Sequence, residues 1–185
     1  MAKALKFGSI RQWAFWRDTL IWFFVASWVG HWLEITLFHV TRLFDPEHYT
    51  NFGILDNWLE PYPIYGWGVV AIIVIYRLLP ERLTSRLPLH FLINLVLMAV
   101  VEYVGALLVI RMHGENTLWD YTNKPFNIHG YICLQNTLLF AAAATVFSYG
   151  VYPRVNALMQ KASDHWRDIA LILLAVAYMV VAIVY

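Results

Sequence analysis

Hydrophobic and polar positions segregate along this chain into long blocks rather than alternating within short elements. Five apolar blocks stand out, at about 19–41, 63–79, 88–111, 131–152 and 169–185. At about 1.5 Å per helical residue, each crosses or nearly crosses a hydrocarbon layer about 30 Å thick. The pattern predicts an all-α fold: a polytopic membrane helix bundle of about five transmembrane helices with short interfacial helices between them. The second and fifth blocks are the shortest. The first is too long for the core of a signal peptide and lacks an A-x-A cleavage pattern, so it is expected to be retained. No repeat of 20–50 residues and no inverted pair of segments is visible. Residues 1–18 are expected to form an N-terminal interfacial segment, and 19–185 a single transmembrane helical domain.

Two polar stretches carry the periodicity of interfacial helices. "PRVNALMQKASDHWRD" (153–168) places Val155, Leu158, Met159, Ala162 and Trp166 on one face, and Pro153 suits a first helical turn. "ALKFGSIRQWAFWRD" (4–18) mixes basic residues with Trp13 and Trp16 and is expected to lie on the cytoplasmic leaflet.

Composition agrees with a membrane protein. The chain is 61% hydrophobic and 14% charged, against about 25% charged in soluble domains. A net charge of +1 without any basic block gives no sign of a nucleic-acid partner. The single cysteine, Cys133, excludes an internal disulfide and a multi-cysteine zinc site. It is expected to be a buried small hydrophobe at the top of the fourth block. Charge also sets an orientation. Lys3, Lys6, Arg11, Arg17, Arg77, Arg82, Arg86, Arg154, Lys161 and Arg167 fall on one side of five crossings, and Arg42, Arg111 and Lys124 on the other. The positive-inside rule then puts the N-terminus in the cytoplasm and the C-terminus outside an inner or plasma membrane.

That orientation gathers the chemistry-bearing residues in the outer half of the membrane. Glu34 and Glu102 sit about two turns from the outer ends of the first and third blocks. Ser27, His31 and Glu34 form one helical stripe, Asn94, Met98, Glu102 and Gly105 another, and Gln135 and Asn136 lie about one turn into the fourth block. A carboxylate in hydrocarbon costs about 2.5–3.5 kcal/mol on insertion scales, so both are expected to face the interior, a partner or water. One reading is an outward-open ligand cavity with Glu34, His31, Glu102 and Asn136 on its wall. Asp120, Asn127 and His129 would add polar groups above it and, with Trp119 and Tyr121, form a lid, with Asp120 making an Asx-type turn and Asn123–Pro125 a second turn. The opposing reading is packing alone, His31 holding Glu34 and Glu102 bonding Asn136 or a tyrosine. Trp119, Tyr121 and Phe126 also suit an aromatic belt. No phosphate-binding loop, nucleophile elbow or H-E-x-x-H is present, so the chain cannot itself be an ATPase. His31 and Glu34 supply only H-x-x-E, too little for a metal site by itself, and neither metal nor cofactor is expected.

The segments "GHWLE" (30–34), "PIYGWG" (63–68), "VVEYVGALL" (100–108) and "WDYTNKPFNIHGYICL" (119–134) resemble those of the CmpB-like ABC-transporter type IV membrane proteins. The resemblance covers roughly 20–150. It implies that Glu34, Tyr65, Gly66, Glu102, Trp119, Asp120, Tyr121, Pro125, Phe126, Asn127 and Cys133 occupy motif positions, while His31 departs from the pattern. It also implies a permease-like subunit of an ABC transport system, with a separate ATPase subunit as partner. A small polar or amphiphilic ligand would then be bound from the outer side, with 153–168 available as a coupling helix. Five helices make a thin wall for a complete path, which points to a homo-oligomer or partner subunits in the bilayer. Two other readings fit the same residues: an intramembrane enzyme acting on a lipid or other amphiphile, with Glu34 and Glu102 as acid–base or metal-binding groups, and a non-catalytic assembly factor.

Overall fold

The computed structural model describes residues 8–43, 58–116 and 119–184. Part of the N-terminal stretch 4–18 lies outside them. The described residues are mostly helical. In order come α1 (Trp13–Arg42), α2 (Pro63–Leu78), the single turn α3 (Glu81–Thr84) and α4 (Leu87–His113). A two-stranded hairpin follows, β1 (Asn127–Ile128) and β2 (Ile132–Cys133), then α5 (Leu134–Thr145), a π-helical segment (Val146–Val151), α6 (Tyr152–Met159) and α7 (Asp164–Val184). Among the described residues, four helical stretches are long and apolar enough to cross a membrane: Trp13–Leu37, Leu87–His113, Leu134–Met159 and Asp164–Val184. Helix α2, apolar but only 16 residues long, is shorter than that measure.

The ends of α4 show local sequence at work. Arg86 is extended, Pro88 fills a first-turn position where a missing N–H costs nothing, and Gly114 closes the helix in the left-handed region at φ 87°. The fourth apolar block is organised differently from the sequence expectation. Residues 132–133 belong to the hairpin and the helix starts at Leu134. It then runs through the π segment into α6 and ends at Met159. The expected interfacial helix 153–168 is therefore two pieces, the end of one rod and the start of α7, separated by residues 160–163. The reason lies at Pro153. Its ring and absent N–H are incompatible with the i→i−4 ladder, and the wider π turn before it relieves both, so the rod continues instead of ending. Tyr152 and Asn156 form the buried face there, and Val155, Leu158 and Trp166, grouped on one face by the sequence pattern, are exposed.

The described chain divides into two compact units, Met1–Phe15 with Ala71–Ser163, and Trp16–Val70 with Asp164–Tyr185. In the first, α4 packs along α5. Its buried residues recur every turn on α4 (His90, Asn94, Met98, Glu102, Ala106, Val109), and on α5 they are small (Thr137, Ala141, Ala144). Small side chains let helices approach closely where lipid offers no hydrophobic drive to associate. The seam also holds a polar knot. His90 Nδ1 lies 2.9 Å from the Thr84 carbonyl and Nε2 2.7 Å from Ser148 Oγ, while Asn94 Nδ2 donates to Thr145 Oγ1 at 3.0 Å and Ser148 Oγ at 3.2 Å.

In the second unit, Tyr178 of α7 packs against Phe23, Phe24 and Trp28 of α1. At the N-terminal ends of the same two helices, buried Arg17 pairs with Asp18, Asp164 and Asp168, and Arg167 with Asp18 and Asp164. Helix α1 meets the start of α2 across two glycines. A Cβ on Gly30 would lie 2.2 Å from Tyr65 Cγ, and one on Gly66 would lie 2.5 Å from Ser27 Oγ and 2.6 Å from Phe23 Cδ2. Nothing lies within 4 Å of a Cβ on Gly68.

Those contacts predict a sharp contrast. Gly30→Ala and Gly66→Ala each force α1 and α2 apart and lower stability by about 1–3 kcal/mol. Gly68→Ala fills open space, and a better helix former raises stability by up to about 1 kcal/mol. Thermal melts of the three variants in detergent check the ranking.

Candidate functional site

The sequence places Glu34, His31 and Tyr65 on a pair of elements that meet in the second unit. Helix α1 presents Ser27 and His31 fully buried and Glu34 half-buried on one stripe. Residues 58–62 run back alongside it without helical hydrogen bonds of their own, and α1 supplies the missing donors. Trp32 Nε1 donates to the Trp58 carbonyl at 2.8 Å, Trp28 Nε1 to the Leu59 carbonyl at 2.7 Å, and His31 Nδ1 to the Glu60 carbonyl. The Tyr62 N–H returns the pattern, donating to the Ser27 carbonyl at 3.0 Å. Three successive carbonyls are thus met by three ring N–H groups from one helix, which is how irregular backbone becomes tolerable at membrane depth.

This arrangement fixes the protonation pattern of His31. A carbonyl only accepts, so Nδ1 carries the hydrogen, and in the neutral ring Nε2 is an acceptor. The Tyr62 ring stacks on the imidazole, with centroids 3.9 Å apart and planes 11° from parallel. The Glu34 and Glu60 carboxylates lie close enough to act on the Tyr62 hydroxyl. Glu34 accepts a 2.6 Å hydrogen bond from the Tyr65 hydroxyl. The expected alternative in which His31 holds Glu34 is not what the structure shows: His31 is engaged by the Glu60 carbonyl and Glu34 by Tyr65.

Glu102, Tyr121, Trp119, Asp120, Asn127 and Asn136 belong to the first unit. Glu102 is buried on α4, accepts from Thr137 Oγ1 at 3.1 Å, and is hydrogen-bonded by the Tyr121 side chain. Of the two packing partners expected for Glu102, the tyrosine is present, and Thr137 stands where Asn136 was expected. The loop before the hairpin contains the Asx turn expected from the sequence. Asp120 makes an Asx turn, accepting from the Thr122 N–H at 2.9 Å and the Thr122 hydroxyl at 3.0 Å. Asn127 ties the loop together, its Nδ2 donating to the Thr122 and Lys124 carbonyls and its Oδ1 accepting from the Gly130 N–H. Trp119 Nε1 donates to the Tyr131 carbonyl at 2.8 Å. Trp119, Asp120 and Asn127 therefore shape the loop, and Tyr121 carries it to Glu102. Phe126, at a positive φ of 54°, projects from the hairpin almost fully exposed.

Sequence reasoning missed the knot of His90, Thr145 and Ser148. Its signal was present in His90 and Asn94 four residues apart and in Thr145 and Ser148 three apart, just before Pro153. An open groove of about 580 Å³ near this knot is lined by Leu87, Pro88, Phe91, Leu92, Ala142 and Thr145. Its exposed wall is apolar. Among the described residues, no three His, Cys, Asp or Glu side chains converge as a metal-binding set.

A family model described as "Putative ABC-transporter type IV" matches residues 21–185. No curated protein and no solved structure matches the chain.

Cys133 is 1% exposed at the junction of β2 and α5. It is therefore predicted to resist maleimide in the folded protein at neutral pH and to react fully after denaturation. Rapid labelling of the folded protein contradicts the placement.

Proposed function

Since the chain belongs to the ABC-transporter type IV family, we propose that it is the membrane subunit of an ABC transport system and receives a small polar or amphiphilic ligand from the outer side. It is a helical membrane protein without a phosphate-binding loop, so nucleotide hydrolysis falls to a separate ATPase subunit. The observation that carries the receiving role is the state of Glu34. It is half-buried, holds one hydrogen bond from Tyr65, and has no Lys or Arg ion partner among the described residues. A carboxylate kept at that depth without a counter-ion costs stability, and such residues mark ligand or ion sites. Within the first unit, Glu102 is by contrast held by Thr137 and Tyr121, so it is less open to a ligand than Glu34.

The distribution of basic residues supports an inner- or plasma-membrane protein with the hairpin outside and residues 153–168 on the cytoplasmic side. The exposed turn between α6 and α7 is then the surface available to the ATPase. Assembly as a homo-oligomer completes a path that one chain is too thin to enclose.

Topology is tested with single cysteines at Asn123 and Ser163 in a Cys133→Ser background. An impermeant maleimide added to intact cells should label Asn123→Cys and spare Ser163→Cys, and the reverse result places the site on the wrong face. The transport role is tested by gentle solubilisation from native membranes, which should co-purify an ATPase subunit. Its consistent absence, with the chain intact, contradicts the assignment.

A further inference from the structure

The second unit's cluster is one-sided in its hydrogen-bond chemistry. His31 Nε2 and the Tyr62 hydroxyl are buried and without partners. In the neutral ring the first is an acceptor, because Nδ1 donates to the Glu60 carbonyl. Around them lie the carboxylates of Glu34 and Glu60, close enough to act on Tyr62. The nearby donors are already engaged: Trp28 and Trp32 by carbonyls, Tyr65 by Glu34. What remains open is a ring nitrogen lone pair, a phenol oxygen, two carboxylates and aromatic faces. An anion would meet like charge and, apart from the Tyr62 hydroxyl, no free donor. A cation bearing N–H groups satisfies every open position, because each N–H finds an acceptor and the charge meets carboxylates and π faces.

We propose that His31, Tyr62, Glu34 and Glu60 form a binding site for a primary ammonium group, carried by a free alkylamine or by an aminolipid headgroup. The proposal rests on the reading that this cluster receives a ligand, and it names the class. His31 Nε2 is the element that selects N–H over a fully alkylated nitrogen. The stacked Tyr62 contributes its oxygen, and Glu34, oriented by Tyr65, supplies the charge.

The full chain in phosphatidylcholine nanodiscs is titrated with butylammonium while tryptophan emission is followed, since Trp28 and Trp32 flank the cluster. Butylammonium should give a saturable change. Tetramethylammonium, which has no N–H, should bind at least about tenfold more weakly, and butanesulfonate should give no response. Glu34→Gln and Tyr62→Phe should each weaken butylammonium by about tenfold or more. Glu60→Gln, outside any helix, serves as a further variant if either of these fails to melt as a folded protein. In discs containing phosphatidylethanolamine, a weakened butylammonium response identifies the lipid headgroup as the occupant. An unchanged response identifies the free amine, and both support the proposal. Equal affinity for butylammonium in wild type and in every folded variant overturns it. A saturable butanesulfonate response that Glu34→Gln abolishes overturns the ammonium class and leaves the receiving site standing. No response to any of the three probes overturns both.

Discussion

The contact of α1 with the start of α2 depends on there being no side chain at residues 30 and 66. With Cβ positions 2.2 Å from Tyr65 and 2.5 Å from Ser27, only glycine permits the two backbones to lie this close. The consequences follow in order. Close approach brings residues 58–62 within reach of Trp28, His31 and Trp32, so three carbonyls of a non-helical segment find ring donors. It also sets the Tyr65 hydroxyl against Glu34 and stacks Tyr62 on His31. Without that approach the carbonyls would be unsatisfied at membrane depth, each at a cost of several kcal/mol.

The first unit meets the same demand by different means. A proline inside a long rod would leave a gap in the helical ladder, and a π segment before Pro153 takes up the irregularity. That segment carries Ser148 to His90 and Asn94, so the polar groups of the α4–α5 seam bond one another. Ser148 has a single proton to offer, to His90 Nε2 or to the Ala144 carbonyl 2.6 Å away. The seam is thus both tightly packed and able to redistribute a hydrogen bond.

The helices were largely legible in the sequence because length and hydropathy speak directly to membrane crossing. The Asx turn at Asp120 and the burial of Cys133 were legible for similarly local reasons. Boundaries failed where a local rule met a competing one. Pro153 reads as a helix start, yet a π turn absorbed it, and Asp164 starts α7 earlier than the apolar block because Arg17 and Arg167 give this first-turn aspartate partners. Side-chain pairing was the least legible part. His31 and Glu34 are one helical turn apart and look like a pair, but each is claimed by a group on residues 60–65. No spacing along α1 reveals which segment returns to it. Likewise Thr137, one residue from the expected Asn136, reaches Glu102 because a helical residue 100° away faces a different neighbour.

The central claim is that Glu34 is oriented by Tyr65 and is independent of His31. Two double-mutant cycles of melting stability test it, one on Glu34→Ala with Tyr65→Phe and one on Glu34→Ala with His31→Ala. A hydrogen bond to a charged group predicts coupling of about 1.5–3 kcal/mol in the first cycle, and independent sites predict additivity within about 0.5 kcal/mol in the second. Strong coupling between Glu34 and His31, with none between Glu34 and Tyr65, would contradict the account and make the cluster a buried ion pair that serves packing alone.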